Sequence, residues 1–175
     1  MRRSALRVLL LLALAGSAVA PRARADELPE YRLKAAFLYN FALFTDWSAS
    51  VGPTLNLCVY GRNPFGAEID ALEGKAVGER HLAVHRLPEL EALKDCQLVF
   101  IADAANGTVA RVLASLRGAA VLTVADGAGA AAQGVVLNMN VVNNRITFEA
   151  NLAAARAAKL SLSSKLLRLA TQVLQ

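Results

Sequence analysis

Apolar residues at Leu33, Phe37, Phe41 and Phe44 recur at helical spacing, with Ala35, Leu38 and Ala42 widening the apolar surface nearly all round. That pattern predicts a helix buried on more than one side. TLNLCVY (54–60) is rich in strand formers. GRNPFGAEIDALEG then carries helix-start chemistry: Asn63 can cap, Pro64 suits the first helical position, Phe65, Ile69 and Leu72 share a face, and Gly74 ends the run. HLAVHRL (81–87) predicts a second strand and PELEAL a short helix. QLVFIAD (97–103) is a continuous apolar run, as a parallel strand needs when both faces are covered. Asn106 opens a helix with Val109, Val112, Leu113 and Leu116 on one side and Gly118 as its stop. AAVLTVAD (119–126) is a fourth strand, GAGAAAQ a short turn or helix, and VVLNMNVV and RITFEA flank Asn143-Asn144 as a hairpin. NLAAARAAK and SLSSKLLRLATQVL close the chain as two helical stretches, the second aligning Leu162, Leu166, Leu169 and Val173.

Strands alternating with helices predict one α/β domain of three layers, with a mainly parallel sheet, an antiparallel hairpin at its edge and helices on both faces. In a flavodoxin-like order the first and third strands are neighbours, which brings Cys58 near Cys96. No linker, low-complexity tract or repeat divides residues 26–175.

The start of the chain changes how charge is read. Arg2, Arg3 and Arg7 precede an apolar run from Val8 to Ala15 and then small residues, the pattern of a secretory signal peptide over residues 1–25. Cleavage after Ala20 and after Ala25 compete, and the second, which leaves Asp26 first, avoids a proline just past the cut. The leader holds five of the 19 Lys and Arg residues and no acid, so the remaining chain balances 14 against 14. The overall charge of +5 belongs to the leader and gives no support to nucleic-acid binding. The aromatic stretch KAAFLYNFALFTDW (34–47) is too short and too interrupted to span a bilayer. In an exported chain two cysteines, Cys58 and Cys96, point to a disulfide bond, with two separate buried thiols as the alternative.

Candidate chemistry is sparse. Gly61, Arg62 and Asn63 follow the first strand, where open α/β sheets bind ligands, but the loop lacks both the Walker lysine pattern and G-x-G-x-x-G. A turn and cap accounts for it, and a small-molecule crevice there is the rival reading. His81 and His85 lie on one side of a strand without further metal ligands, and read as solvated residues. Asp103 and Asp126 follow strands, and helix capping explains them more simply than an acid–base pair. Ser163-Ser164 has neither G-x-S-x-G nor a histidine partner. Nothing in the pattern calls for a metal or a cofactor.

Three stretches together, YRLKAAFLYNFALFTDW, LNLCVYGRNPFG and ITFEANLAAARAAKLSLSSKLLRLA, resemble the YfiR family of bacterial periplasmic proteins, over essentially the whole chain after the leader. The resemblance implies a non-catalytic regulator in the periplasm that represses an inner-membrane diguanylate cyclase by binding its periplasmic sensor domain. It also implies sequestration by an outer-membrane lipoprotein; a homodimer is expected instead from the second apolar side of the first helix. Cys58 and Cys96 match a family disulfide pair, whereas AAAQGVVLNMN has no cysteine where two-bridge members carry a second pair.

Within the last block, Glu149 and Asn151 stand at a strand-to-helix junction, with Lys165 and Arg168 on the helix beyond. Glu149 is the expected partner contact and the two cations its electrostatic neighbours; the alternative is an ordinary exposed strand residue followed by an Asn151 helix cap. Tyr39 and Leu43, on the second apolar side of the first helix, face either a dimer or partner surface or the C-terminal helix of the same chain.

Overall fold

The structure, a computed structural model, describes residues 27–102, 104 and 107–175. The leader, Asp103 and Asn106 lie outside the described residues. In chain order the elements are α1 (Glu27–Leu43), β1 (Thr45–Asp46), β2 (Thr54–Tyr60), a 3-10 helix (Glu68–Leu72), β3 (Ala76–Val77), β4 (Arg80–Leu87), a second 3-10 helix (Glu91–Asp95), β5 (Leu98–Ile101), α2 (Thr108–Ser115), β6 (Leu122–Ala125), β7 (Leu137–Val142), β8 (Arg145–Asn151), α3 (Leu152–Ala157), β9 (Ser161–Leu162), α4 (Ser164–Leu167) and β10 (Gln172–Leu174). An eight-stranded sheet runs in the order β10-β8-β7-β6-β5-β2-β4-β3, and β1 pairs with β9 in a separate two-stranded ladder.

The order β4-β2-β5-β6-β7 is the doubly wound arrangement, with parallel pairing between each neighbour. β5 and β6 are fully buried, as their uninterrupted apolar residues require of strands covered on both faces. One core cluster lies between the sheet and α1, built around Leu38, Phe41, Phe65, Phe100 and Phe148; the other lies on the opposite face under α2, around Leu93, Val99, Val109, Val112 and Val135. The hairpin β7–β8 turns on Asn143 and Asn144, both at positive φ (49° and 61°), the backbone that a two-residue type I′ connection demands. A three-residue strand, β10, pairs in parallel on the outer side of β8.

Three local expectations are corrected. The GRNPFG segment forms no α-helix: the Asn63 side chain accepts from the Phe65 amide and donates to the Gly66 carbonyl, and Gly66 sits at φ 57°, so the chain closes a turn before a single 3-10 helix follows. The final stretch is not one helix. Leu162 pairs with Thr45 in β9, the Ser163 hydroxyl caps the Leu166 amide, and after four helical residues the chain re-enters the sheet beside β8. Finally, the buried side of α1 carries Lys34, Ala35, Leu38, Phe41 and Ala42, while Leu33 is 46% exposed and Phe37 and Phe44 are half-buried. A helix apolar nearly all round does not choose its own inner face; its partners do.

At the other end of the sheet, β3 covers only the first residues of β4. Further along that free edge the Glu73 carboxylate accepts a hydrogen bond from the Val84 amide at 2.7 Å.

Candidate functional surface

The expected bridge is present: Cys58 in β2 and Cys96, just before β5, are joined with Cα atoms 6.1 Å apart. Both are buried under the α2 face. It holds the second 3-10 helix, and hence the start of β5, against the middle of the sheet.

The carboxyl edge of the parallel strands, where a ligand crevice is expected in such folds, is occupied by the first turns of α1. Tyr31 packs edge-on against Phe65 at 5.2 Å, and Phe65 against Phe100 at 4.8 Å. Lys34, only 4% exposed, donates to Asp126 at 2.6 Å and pairs with Glu30 at 2.5 Å, and the Tyr31 hydroxyl donates to the same Asp126 oxygen at 3.0 Å. Asp126 is thus the docking point of α1 and not a helix cap. Gly61 holds φ 91°, a left-handed backbone that favours glycine, and a Cβ there would make only ordinary contact with the Ala102 carbonyl oxygen at 3.4 Å. Arg62 is exposed, and Asn63 spends both side-chain groups on its own turn. A cleft of about 430 Å³ lies between α2 and α3, and one of about 490 Å³ between α1 and the first 3-10 helix; Gly61, Arg62 and Asn63 line neither.

Burial lowers the proton affinity of Lys34, but its bonds to Asp126 and Glu30 outweigh that, leaving its pKa above the ordinary 10.5. Burial, then the charge on Asp126, pushes Tyr31 from 10.0 up to about 12. Both groups hold their protons more tightly when folded, so their contribution to stability is intact below pH 10 and is lost as pH rises towards 12. Urea midpoints should therefore fall between pH 10 and 12, and Tyr31→Phe should remove the tyrosine share of that fall; an unchanged profile in the variant would show that Tyr31 does not titrate there.

Of the expected partner contacts, Glu149 is half-buried on β8 and lies opposite Asn138 of β7, whose amide donates to it at 3.4 Å and to Asn140 at 3.3 Å. Asn138 is fully buried and its Oδ1 has no hydrogen-bond partner among the described residues. Asn151 is a structural residue: it caps α3 through the Ala154 amide and donates to the Ala131 carbonyl. Lys165 and Arg168 are exposed on and just after α4, and no ion pair joins either to Glu149 among the described residues. The Tyr39 hydroxyl donates to the Ala76 carbonyl at 2.8 Å and Lys75 stands 5.1 Å from its ring, so Tyr39 is held within its own chain; Leu43 remains 39% exposed. His81 and His85 contact Thr54 and Asn56 of the neighbouring strand at 3.3 Å and 3.0 Å.

No helix among the described residues is long and apolar enough to cross a membrane. The model of the YfiR/HmsC-like family matches residues 31–171, and the chain belongs to that family. None of the curated proteins matches the sequence significantly. Among solved structures, the chain is similar to the "ABC domain in complex with L-Trp" of Streptococcus pneumonia (TM-score 0.55, 7% identity) and to a "conserved domain protein" of Vibrio cholerae O1 biovar El Tor strain N16961 (TM-score 0.51, 8% identity). Each match covers 82% of this chain and 60% of the other, and at these identities the likeness is one of fold.

Proposed function

We propose that this protein is a periplasmic regulator that represses an inner-membrane diguanylate cyclase by binding its periplasmic sensor domain. The observation that carries the reading is the family match over residues 31–171. The bridged cysteines fit an oxidising compartment. Glu149, held by Asn138 yet half-exposed, is the contact we assign to the partner, with Lys165 and Arg168, exposed on and just after α4, as further candidates. The protein acts by population shift: it binds the inactive arrangement of the sensor domain better than the active one, and a preference of about 1.4 kcal/mol biases the cyclase tenfold. Sequestration by an outer-membrane lipoprotein and pairing of two copies through the α1 side bearing Leu33 and Leu43 belong to the same proposal; the exposure of those two leucines supports it.

Deleting the gene in its host should raise cellular cyclic di-GMP, and complementation should restore it. A Glu149→Gln protein, which keeps an acceptor for Asn138, should bind the purified sensor domain at least tenfold more weakly and fail to complement, with its thermal unfolding unchanged. If cyclic di-GMP stays constant in the deletion strain across growth conditions, the repressor reading is wrong.

A further inference from the structure

Charge is divided along the chain in a way that the sheet turns into a division in space. Residues 27–102 carry seven basic against ten acidic residues, and residues 104–175 seven against two. The first segment supplies β2, β3, β4 and β5, one half of the sheet's width, and the second supplies β6, β7, β8 and β10, the other half. All seven cations of the second half are exposed. Its two acids are engaged: Asp126 by Lys34, and Glu149 by Asn138.

The same half carries exposed apolar side chains at its hairpin. Ala125, the last residue of β6, is level with Asn138, so β7 runs four residues further, about 13 Å past the end of its parallel neighbour. Residues 141–145 are exposed in succession, with Val141 49% and Val142 50% accessible and Arg145 completing the turn. β10 is parallel to β8 and the Thr171 amide donates to the Phe148 carbonyl, so the chain enters β10 from the hairpin-turn side of Glu149; Leu169 (70% exposed) stands two residues before Thr171, after the α4 turn that carries Lys165 and leads into Arg168. Val141 and Val142 thus stand with Arg145 at the hairpin end, and the stretch that leads into the edge strand β10 adds exposed Leu169 with Lys165 and Arg168 to the same half of the sheet.

We propose that this end, tipped by Val141 and Val142 and flanked by Arg145, Lys165, Arg168 and Leu169, docks on an anionic lipid surface. Cations attract the headgroups while a few apolar side chains enter the interface. Shape favours lipid over an acidic protein segment. A peptide is best received in a concavity, and the cleft of this half, between α2 and α3, is lined by Val121 and Asn151 at the opposite end of the strands. The hairpin tip projects past β6, and a projecting apolar-and-basic tip suits a deformable surface.

The test uses residues 26–175, disulfide intact, which hold every described element and lack the apolar leader. Co-sedimentation is measured with vesicles of 30% phosphatidylglycerol in phosphatidylcholine and with pure phosphatidylcholine. Each cation brought to the surface strengthens binding roughly fivefold, so the anionic vesicles should retain at least tenfold more protein at low salt and lose most of it in 0.5 M salt. Val141→Ser/Val142→Ser/Leu169→Ser and Arg145→Glu/Arg168→Glu should each lower binding at least tenfold, with unfolding temperatures unchanged. Absence of sedimentation with anionic vesicles overturns the proposal. So does equal binding to neutral vesicles or undiminished binding by both variants. Loss of sensor-domain binding in the charge-reversed variant, without vesicle affinity in the parent, overturns it in favour of an acidic protein partner.

Discussion

Replacing Cys58 and Cys96 together by alanine is expected to lower the free energy of unfolding by about 4 kcal/mol, because the bridge closes a loop between residues 38 apart and restricts the unfolded chain. With total stabilities of about 5–15 kcal/mol, that is a large share. The site should not relax to offset it, since both side chains are buried against Leu93, Val99 and Val109. Urea unfolding of the bridged and alanine proteins should show midpoints separated by roughly 2 M, given slopes of about 1–3 kcal/mol per M. A difference below about 1 kcal/mol would mean that the unbridged unfolded chain already holds these segments together.

The second large effect concerns Lys34. Lys34→Met should cost about 3 kcal/mol, because it leaves Asp126 at the sheet's carboxyl edge with only the Tyr31 hydroxyl as a side-chain partner among the described residues. Lys34→Met/Asp126→Leu should recover most of the loss, since replacing both members of a buried pair by apolar groups removes the stranded charge. Chemical denaturation of the two variants decides it: equal losses would show that the pair is not the tether of α1, and that ring packing between Tyr31, Phe65 and Phe100 carries the docking alone.

The parallel strands were legible in the sequence because their signal is local: four short apolar runs separated by turn or helix residues. Their order followed from the fold class, and the neighbouring first and third strands placed the two cysteines together, as found. What sequence could not supply depends on distant partners. Lys34 looked like the polar end of an aromatic helix, and its burial is decided by Asp126, 92 positions away. Leu162, Leu166, Leu169 and Val173 keep helical spacing, yet Leu162 and Val173 enter separate ladders with Thr45 and Ala150. Local signals against one helix were present in Ser163, a strong cap residue, and in the β-branched Thr171 and Val173. At the candidate surface, Asn151 was readable as a cap, whereas the hold of Asn138 on Glu149 depends on hairpin register. The exposed Val141-Val142 pair beside Asn143-Asn144 was visible in the sequence, but its projection depends on where β6 ends.

Past the two residues that β3 covers, β4 takes no further strand among the described residues, and one side chain stands at that edge. Beyond β3, the carboxylate of Glu73 stands where the carbonyl of a further strand would be, and takes the Val84 amide. The edge therefore presents a negative charge in place of a free donor, and two copies meeting edge to edge would bring two such carboxylates together. Charge on an edge strand is a general device of natural sheets against edge-to-edge pairing, and Glu73 supplies one here.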